Sequence, residues 1–429
     1  MTLLALGILV LLLMLGYPMK VPLISAALIV LLVYFPGVDP AVMTQQMIGG
    51  VKPAALLAVP MFIFAAEIMT RGQAANRLLN LVGAFVQHIR GGLPITSVIA
   101  CTLFGAISGS TQATVVAIGG PIRPKLLQAG YPDRFAISLI INASDIALLI
   151  PPSIGMIVYG VVTGTSIGEL FLAGIGPGLL IMVLFSIYCY WASIRMQIPR
   201  LPRADWSERR AALHKAVLPL GFPIIVIGGI YTGLFSPTEA AAISVLYAAF
   251  LEIVVFRELS LRNLPEMALS TGLVTAVVFV LVGAGTAFSW VISYAELPTA
   301  IIQNTLDLGP DSSYVAIMTA VSIAFFLGCM FVDPIVVILI LAPIFHPIAV
   351  SAGIDPVLVG VIVTMQVAIG SATPPFGCDI FTAIAIFRRP YLEVIRGTPP
   401  FIAMLLFAVA AVIFFPDIAL WLRDVAFAK

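Results

Sequence analysis

The chain has 429 residues, of which 61% are hydrophobic and only 10% charged, with a formal net charge of +1. That charged fraction is under half of the ~25% usual in a soluble domain, and apolar runs recur near the ~20 residues needed to cross a bilayer. An ordinary soluble globule is excluded. No nucleotide-binding P-loop is present, and the scattered cysteines (Cys101, Cys189, Cys329, Cys378) and histidines offer neither a disulfide framework nor a transition-metal site.

In chain order, the segment 2–18 lacks the basic start and small-residue cleavage site of a signal peptide, so it is read as the first span. Spans follow at 21–36 and 51–69. The mixed segment 72–89 is expected to be an arm helix lying along the membrane. The apolar region 93–128 is interrupted at "GAISGSTQAT" (105–114), which gathers Ser108, Ser110, Thr111 and Thr114; a re-entrant helical hairpin is predicted there. A span over 133–164 is broken at Pro151-Pro152. In "INASDIALLIPPSIGMIVYG" (141–160) it sets Asn142, Ser144, Asp145 and Ser153 around the break. The span 167–194 closes the first half. The polar segment "RMQIPRLPRADWSERRAALHK" (195–215) is expected to be a cytoplasmic linker with a surface-lying amphipathic piece. Positive-inside anchoring explains its basic residues without nucleic acid.

The second half continues with spans at 217–235, 238–256 and 268–292, and a second arm helix at 295–308. A second hairpin over 312–350 contains "GCMFVDPIVV" (328–337), with Asp333 and Pro334 at its turn. A second broken span over 356–387 carries Ser371 and Thr373 before Pro374-Pro375 and Asp379 after it; a final span covers 398–421. Glu67 and Glu252 fall near cytoplasmic span ends and are expected to pair or snorkel. Glu239 follows Pro237 at a helix start, where a carboxylate suits the dipole.

A constant shift of 223 residues superposes the two halves. Gly49 meets Gly272, Gly105 meets Gly328, Pro124 meets Pro347, and Pro151-Pro152 meets Pro374-Pro375. The matching residues are those that dictate backbone shape. Each half has five crossings, so the second starts on the opposite face. The fold expected is an all-α polytopic membrane protein of two inverted repeats, each with a re-entrant hairpin and a broken helix. Its parts are a first repeat over 1–194, a linker over 195–216 and a second repeat over 217–429. With both termini outside, 18 of the 21 Lys and Arg residues lie inside, as the positive-inside rule requires.

Such repeats are the architecture of secondary transporters, with solute and coupling ions held near the midplane. Opening a helix frees carbonyls that suit sodium and, on the far side, amide donors that suit an anion. An ionisable residue deep in apolar sequence, such as Asp333, is a functional candidate by default.

Four motifs in order, "GAISGSTQATVVAIG", "IPPSIGMIVYG", "GLFSPTEAAA" (233–242) and "ATPPFG" (372–377), resemble the large membrane subunit of TRAP (tripartite ATP-independent periplasmic) transporters over nearly the whole chain. The resemblance implies a sodium-driven elevator-type importer in the bacterial inner membrane, with both termini periplasmic. It implies two partners besides the bilayer, a small four-helix membrane subunit and a periplasmic binding protein. The solute would be a small carboxylate, such as a C4-dicarboxylate or sialic acid. No enzymatic activity and no cofactor beyond the coupling sodium ions are implied. A first sodium site would use Ser108, Ser110 and the carbonyls before Pro151; a second would use Gly328, Asp333, Gly370 and Thr373. Thr111, Asn142, Ser144, Asp145, Ser153, Ser371 and Asp379 are the solute-site candidates.

Asp145 and Asp379 depart from the family's pattern, where a hydroxyl residue and an asparagine are common. Two ionised carboxylates would repel a dianion by about 3 kcal/mol each at 6 Å and an effective dielectric near 20. A monocarboxylate or zwitterion therefore carries equal weight with a dicarboxylate. Asp145 has two readings: it pairs with a neighbour such as Asn142 or contacts the second hairpin as a protonated acid, or it faces the cavity and meets a positive group on the solute or a sodium ion. A proton-coupled or antiporter-like secondary transporter of related fold is the alternative function.

Overall fold

The computed structural model describes residues 2–295 and 313–427. Every regular element among the described residues is a helix, and seven helices are long and apolar enough to cross a bilayer unaided. The first half contains α1 (Thr2–Met14), α2 (Lys20–Tyr34), α3 (Ala41–Val51), α4 (Ala58–Arg71), α5 (Ala74–Val86), α6 (Gly92–Ser108), α7 (Thr111–Gln128), α8 (Asp133–Ser144), α9 (Ile154–Thr163) and α10 (Ile167–Arg195). The second contains α11 (Trp206–Tyr231), α12 (Pro237–Ala249), α13 (Leu264–Tyr294), α14 (Tyr314–Phe331), α15 (Pro334–Ser351), α16 (Pro356–Ala372), α17 (Cys378–Phe387), α18 (Tyr391–Ile395), α19 (Pro399–Phe414) and α20 (Asp417–Phe427).

The shift of 223 carries the bounds of α7 onto those of α15, and the end of α6 onto the end of α14. It also carries 41–71 onto the 31-residue α13. In the first half that stretch is split at Pro53, which removes a backbone donor and divides it into α3, a short 3₁₀ turn and α4.

Each hairpin crosses the broken helix of its own half through a close approach, and the two crossings fall within one residue of the same register. A Cβ on Gly105 would lie 2.6 Å from Ala147 Cα; a Cβ on Gly370, the equivalent of Ala147, would lie 2.2 Å from Cys329 Cβ. The second arm of each hairpin then packs on the opposite half. Gly119 in α7 faces Phe387 of α17, and His346 in α15 hydrogen-bonds the Tyr159 hydroxyl of α9 at 2.7 Å. The two halves are thus interlocked at their hairpins and breaks, and the site lies there.

Three expected boundaries differ. The linker is shorter than 195–216, because Asp205 and Glu208 form a capping box that starts α11 at Trp206. There the Ser207 hydroxyl, with the Trp206 and Ser207 amides, holds the Asp205 carboxyl below its usual range. The last span ends at Phe414, where Pro416 stops the helix and the chain bends by 55° into α20. The first broken span tightens into a 3₁₀ turn at Asp145–Leu148 before its prolines.

The expected arm at 72–89 is α5, with Leu78, Leu79 and Val82 buried; its counterpart at 295–308 lies outside the described residues. Glu252 neither snorkels nor pairs with a basic side chain. It is fully buried, and its Oε2 accepts the Gln73 N–H at 3.2 Å, capping the start of α5. Glu67 pairs with Arg71 at 2.8 Å, and Glu239 completes a capping box with Ser236.

Candidate functional site

The first hairpin turns at Gly109, whose φ of +59° lies in the left-handed region that glycine adopts without strain. A Cβ there would come within 2.0 Å of the Pro152 carbonyl oxygen, so the turn rests directly on the first helix break. Around it, the Ser108 and Thr114 hydroxyls lie 3.0 Å apart, and Thr114 Oγ1 donates to the Ser110 carbonyl at 2.9 Å. Ser110 Oγ caps α7 by accepting the Ala113 N–H. Ser108, Ser110 and the Pro151-Pro152 break therefore converge. The freed oxygen facing the turn belongs to Pro152.

The second half builds the same meeting with different side chains. The Phe376 N–H donates to the Met330 carbonyl at 3.1 Å, joining the second break to the end of α14. Asp333 caps α15 by accepting the Ile335 N–H at 2.9 Å, and its outer surface is open. The carbonyls of Gly328 and Gly370 accept the Val332 and Thr373 amides, and the Thr373 hydroxyl donates to Ile369 O at 2.6 Å. Gly370 and Gly377 have a further role. A Cβ on either would collide with Cys329 or with the Ser371 and Thr373 carbonyls, so both permit close backbone approach.

Between the two meetings lie the candidate solute residues, and several satisfy themselves locally. Ser144 donates to Ile141 O at 2.5 Å, Ser371 to Ala368 O at 2.7 Å, and Ser153 caps α9 by accepting the Met156 N–H. Asn142 donates to Ser138 O at 2.8 Å rather than to Asp145. Asp145 instead faces Asp379: the two carboxyl groups, one from each half, lie within hydrogen-bonding reach of one another. Thr111 Oγ1 donates to Asp379 Oδ1 at 2.8 Å, linking the first hairpin to the second broken helix. Both acids are fully buried.

The solute-site candidates Thr111, Asp145 and Asp379 are thus brought together, while Gly328 lies against the Val337 side chain of α15. Sequence reasoning missed Gly109, Pro152 O and the Met330 carbonyl. A glycine between Ser108 and Ser110 is itself a turn signal, but backbone oxygens at breaks carry none.

Residues 6–418 match the family described as "Tripartite ATP-independent periplasmic transporter, DctM component". The ectoine/5-hydroxyectoine TRAP transporter large permease protein UehC of Ruegeria pomeroyi is 63% identical over 98% of both chains. The ectoine TRAP transporter large permease protein TeaC of Halomonas elongata is 60% identical over 97% of both. The crystal structure of the Alcanivorax borkumensis YdaH transporter shares the fold, with a TM-score of 0.64 over 86% of both chains at 15% identity. With the helix breaks, the hairpins and nearly all of both repeats inside the matched region, this chain belongs to the DctM family of large membrane subunits of tripartite ATP-independent periplasmic transporters.

Proposed function

We propose that this large permease imports a zwitterionic ring solute of the ectoine class, driven by sodium. The transport reading rests on one observation above all, the contact of each hairpin turn with the helix break of its own half. Two such meetings, one in each half, gather backbone and side-chain oxygens of the kind that hold coupling ions in inverted-repeat transporters. Ser108, Ser110, Thr114 and the Pro152 carbonyl offer neutral oxygens for one sodium ion. Asp333, with the Gly328, Gly370 and Thr373 region, offers a carboxylate and carbonyls for a second. These donors fit a hard cation.

The solute class comes from two relatives named for ectoine, and it agrees with the absence of any Lys or Arg ion pair to Asp145 or Asp379 among the described residues. Ectoine carries a carboxylate and a cyclic amidinium, so acids at the centre would not repel it as they would a dicarboxylate. The transporter would work with a small membrane subunit and a periplasmic binding protein in the bacterial inner membrane, both termini periplasmic. Motion would follow an elevator scheme, the hairpins and broken helices moving together against the remaining helices.

The test is tracer uptake into proteoliposomes holding the large and small subunits, with the binding protein outside and an inward sodium gradient. Ectoine should accumulate at least tenfold faster than succinate. Uptake of succinate or sialic acid with none of ectoine would overturn the solute class.

A further inference from the structure

We infer that Asp145 and Asp379 act as one recognition element for the positive group of the solute, an amidinium or similar planar cation. The inference rests on the zwitterion reading above and assigns it to two residues.

Both Asp145 oxygens, Asp379 Oδ2 and the Asn142 Oδ1 one turn earlier on the same helix face are buried without a donor. Asp379 Oδ1 is satisfied by Thr111. A proton shared between the two acids would satisfy one oxygen of each. One Asp145 oxygen and Asn142 Oδ1 would still face the interior unmet, and buried acceptors in native proteins are rarely left so. The neighbouring Ser371 hydroxyl gives its proton to its own helix. Cys101, beside Asp145, and Cys378, next to Asp379 in the chain, are the titratable neighbours of the pair, and among the described residues no Lys or Arg pairs with either acid.

Beyond the Thr111 hydroxyl already given to Asp379 and the Ser371 hydroxyl beside it, the pair has too few donors for its oxygens and no positive charge among the described residues, and an ionised carboxylate supplies only acceptors. An anionic group would meet two carboxyl groups and no cation. A planar cation with paired N–H groups supplies both missing terms, as in bidentate carboxylate recognition.

Symmetry separates this pair from the scaffold. The shift of 223 that aligns glycines and prolines matches Asp145 with Ala368 and Asp379 with Met156. The two acids are private to their own halves and yet meet. What both repeats share shapes the backbone; what each holds alone is free to set solute chemistry.

The experiment uses the purified complex of large and small subunits in detergent with sodium and no binding protein. Calorimetric titration with ectoine, with the cyclic amidinium lacking its carboxylate, and with succinate should show the first two binding. Asp145→Asn and Asp379→Asn should bind both at least tenfold more weakly while keeping the wild-type melting temperature. On the unmutated complex, ectoine should slow carbodiimide modification of Asp145 or Asp379, and succinate should not. Wild-type ectoine affinity in the folded Asn variants, or carbodiimide labelling unchanged by ectoine, would overturn the assignment. So would variants whose solute binding is intact and whose sodium binding alone is lost. If the bare amidinium binds through the acids while ectoine is not transported, the pair stands and the ectoine reading fails.

Discussion

Gly109→Ala should cut solute uptake at least tenfold and lower the melting temperature of the complex. Two costs combine. Alanine at a φ of +59° pays about 1 kcal/mol for left-handed backbone, and its Cβ would stand 2.0 Å from the Pro152 carbonyl. A backbone oxygen held by a helix break cannot rotate aside as a side chain does, so the hairpin turn must lift. Overpacking of this kind costs about 1–3 kcal/mol. The lost contact is also the one that completes the proposed first sodium site. Gly120→Ala, in the same hairpin arm with nothing within 4 Å of the added Cβ, is the control; gaining helix propensity, it should transport normally. Uptake per folded protein and thermal unfolding check both. Normal uptake by Gly109→Ala would remove the turn-to-break contact from the mechanism.

Asp333→Asn should raise the sodium concentration for half-maximal uptake at least tenfold with little change in stability. Asparagine caps a helix about as well as aspartate, so the bond from the Ile335 amide to the side chain persists. What disappears is the charge, and a tenfold loss of ion affinity corresponds to about 1.4 kcal/mol. Asp333→Ala removes the cap as well and should lose about 1 kcal/mol of stability besides. The contrast separates the ionic role from the structural one. An Asn variant with unaltered sodium dependence would place the second ion elsewhere.

Much of the architecture was legible because its determinants are residues with strong backbone consequences. Pro151-Pro152 and Pro374-Pro375 interrupt helices wherever they fall, and Gly105 and Gly328, aligned at a shift of 223, mark close approaches. α11 begins at Trp206, inside the polar segment, because the capping box of Asp205 and Glu208 starts a helix there despite the polar residues that follow. The centre of the site was less legible. Thr111 and Asp379 are 268 positions apart, and nothing in periodicity reveals that the second arm of one hairpin packs on the other half. Asp145 stood out by its charge, yet its neighbour follows only from the interlocking of the two repeats. Carbonyls such as that of Pro152 are invisible to any reading of side chains.

The most direct test of the account is the ion that drives uptake. In proteoliposomes containing both membrane subunits, with binding protein and solute outside, an inward sodium gradient should drive ectoine accumulation without ATP. Collapsing that gradient with a sodium ionophore should stop it. Undiminished accumulation in sodium-free buffer under an imposed proton gradient would contradict the sodium sites at the hairpin turns and favour proton coupling through the acids between them.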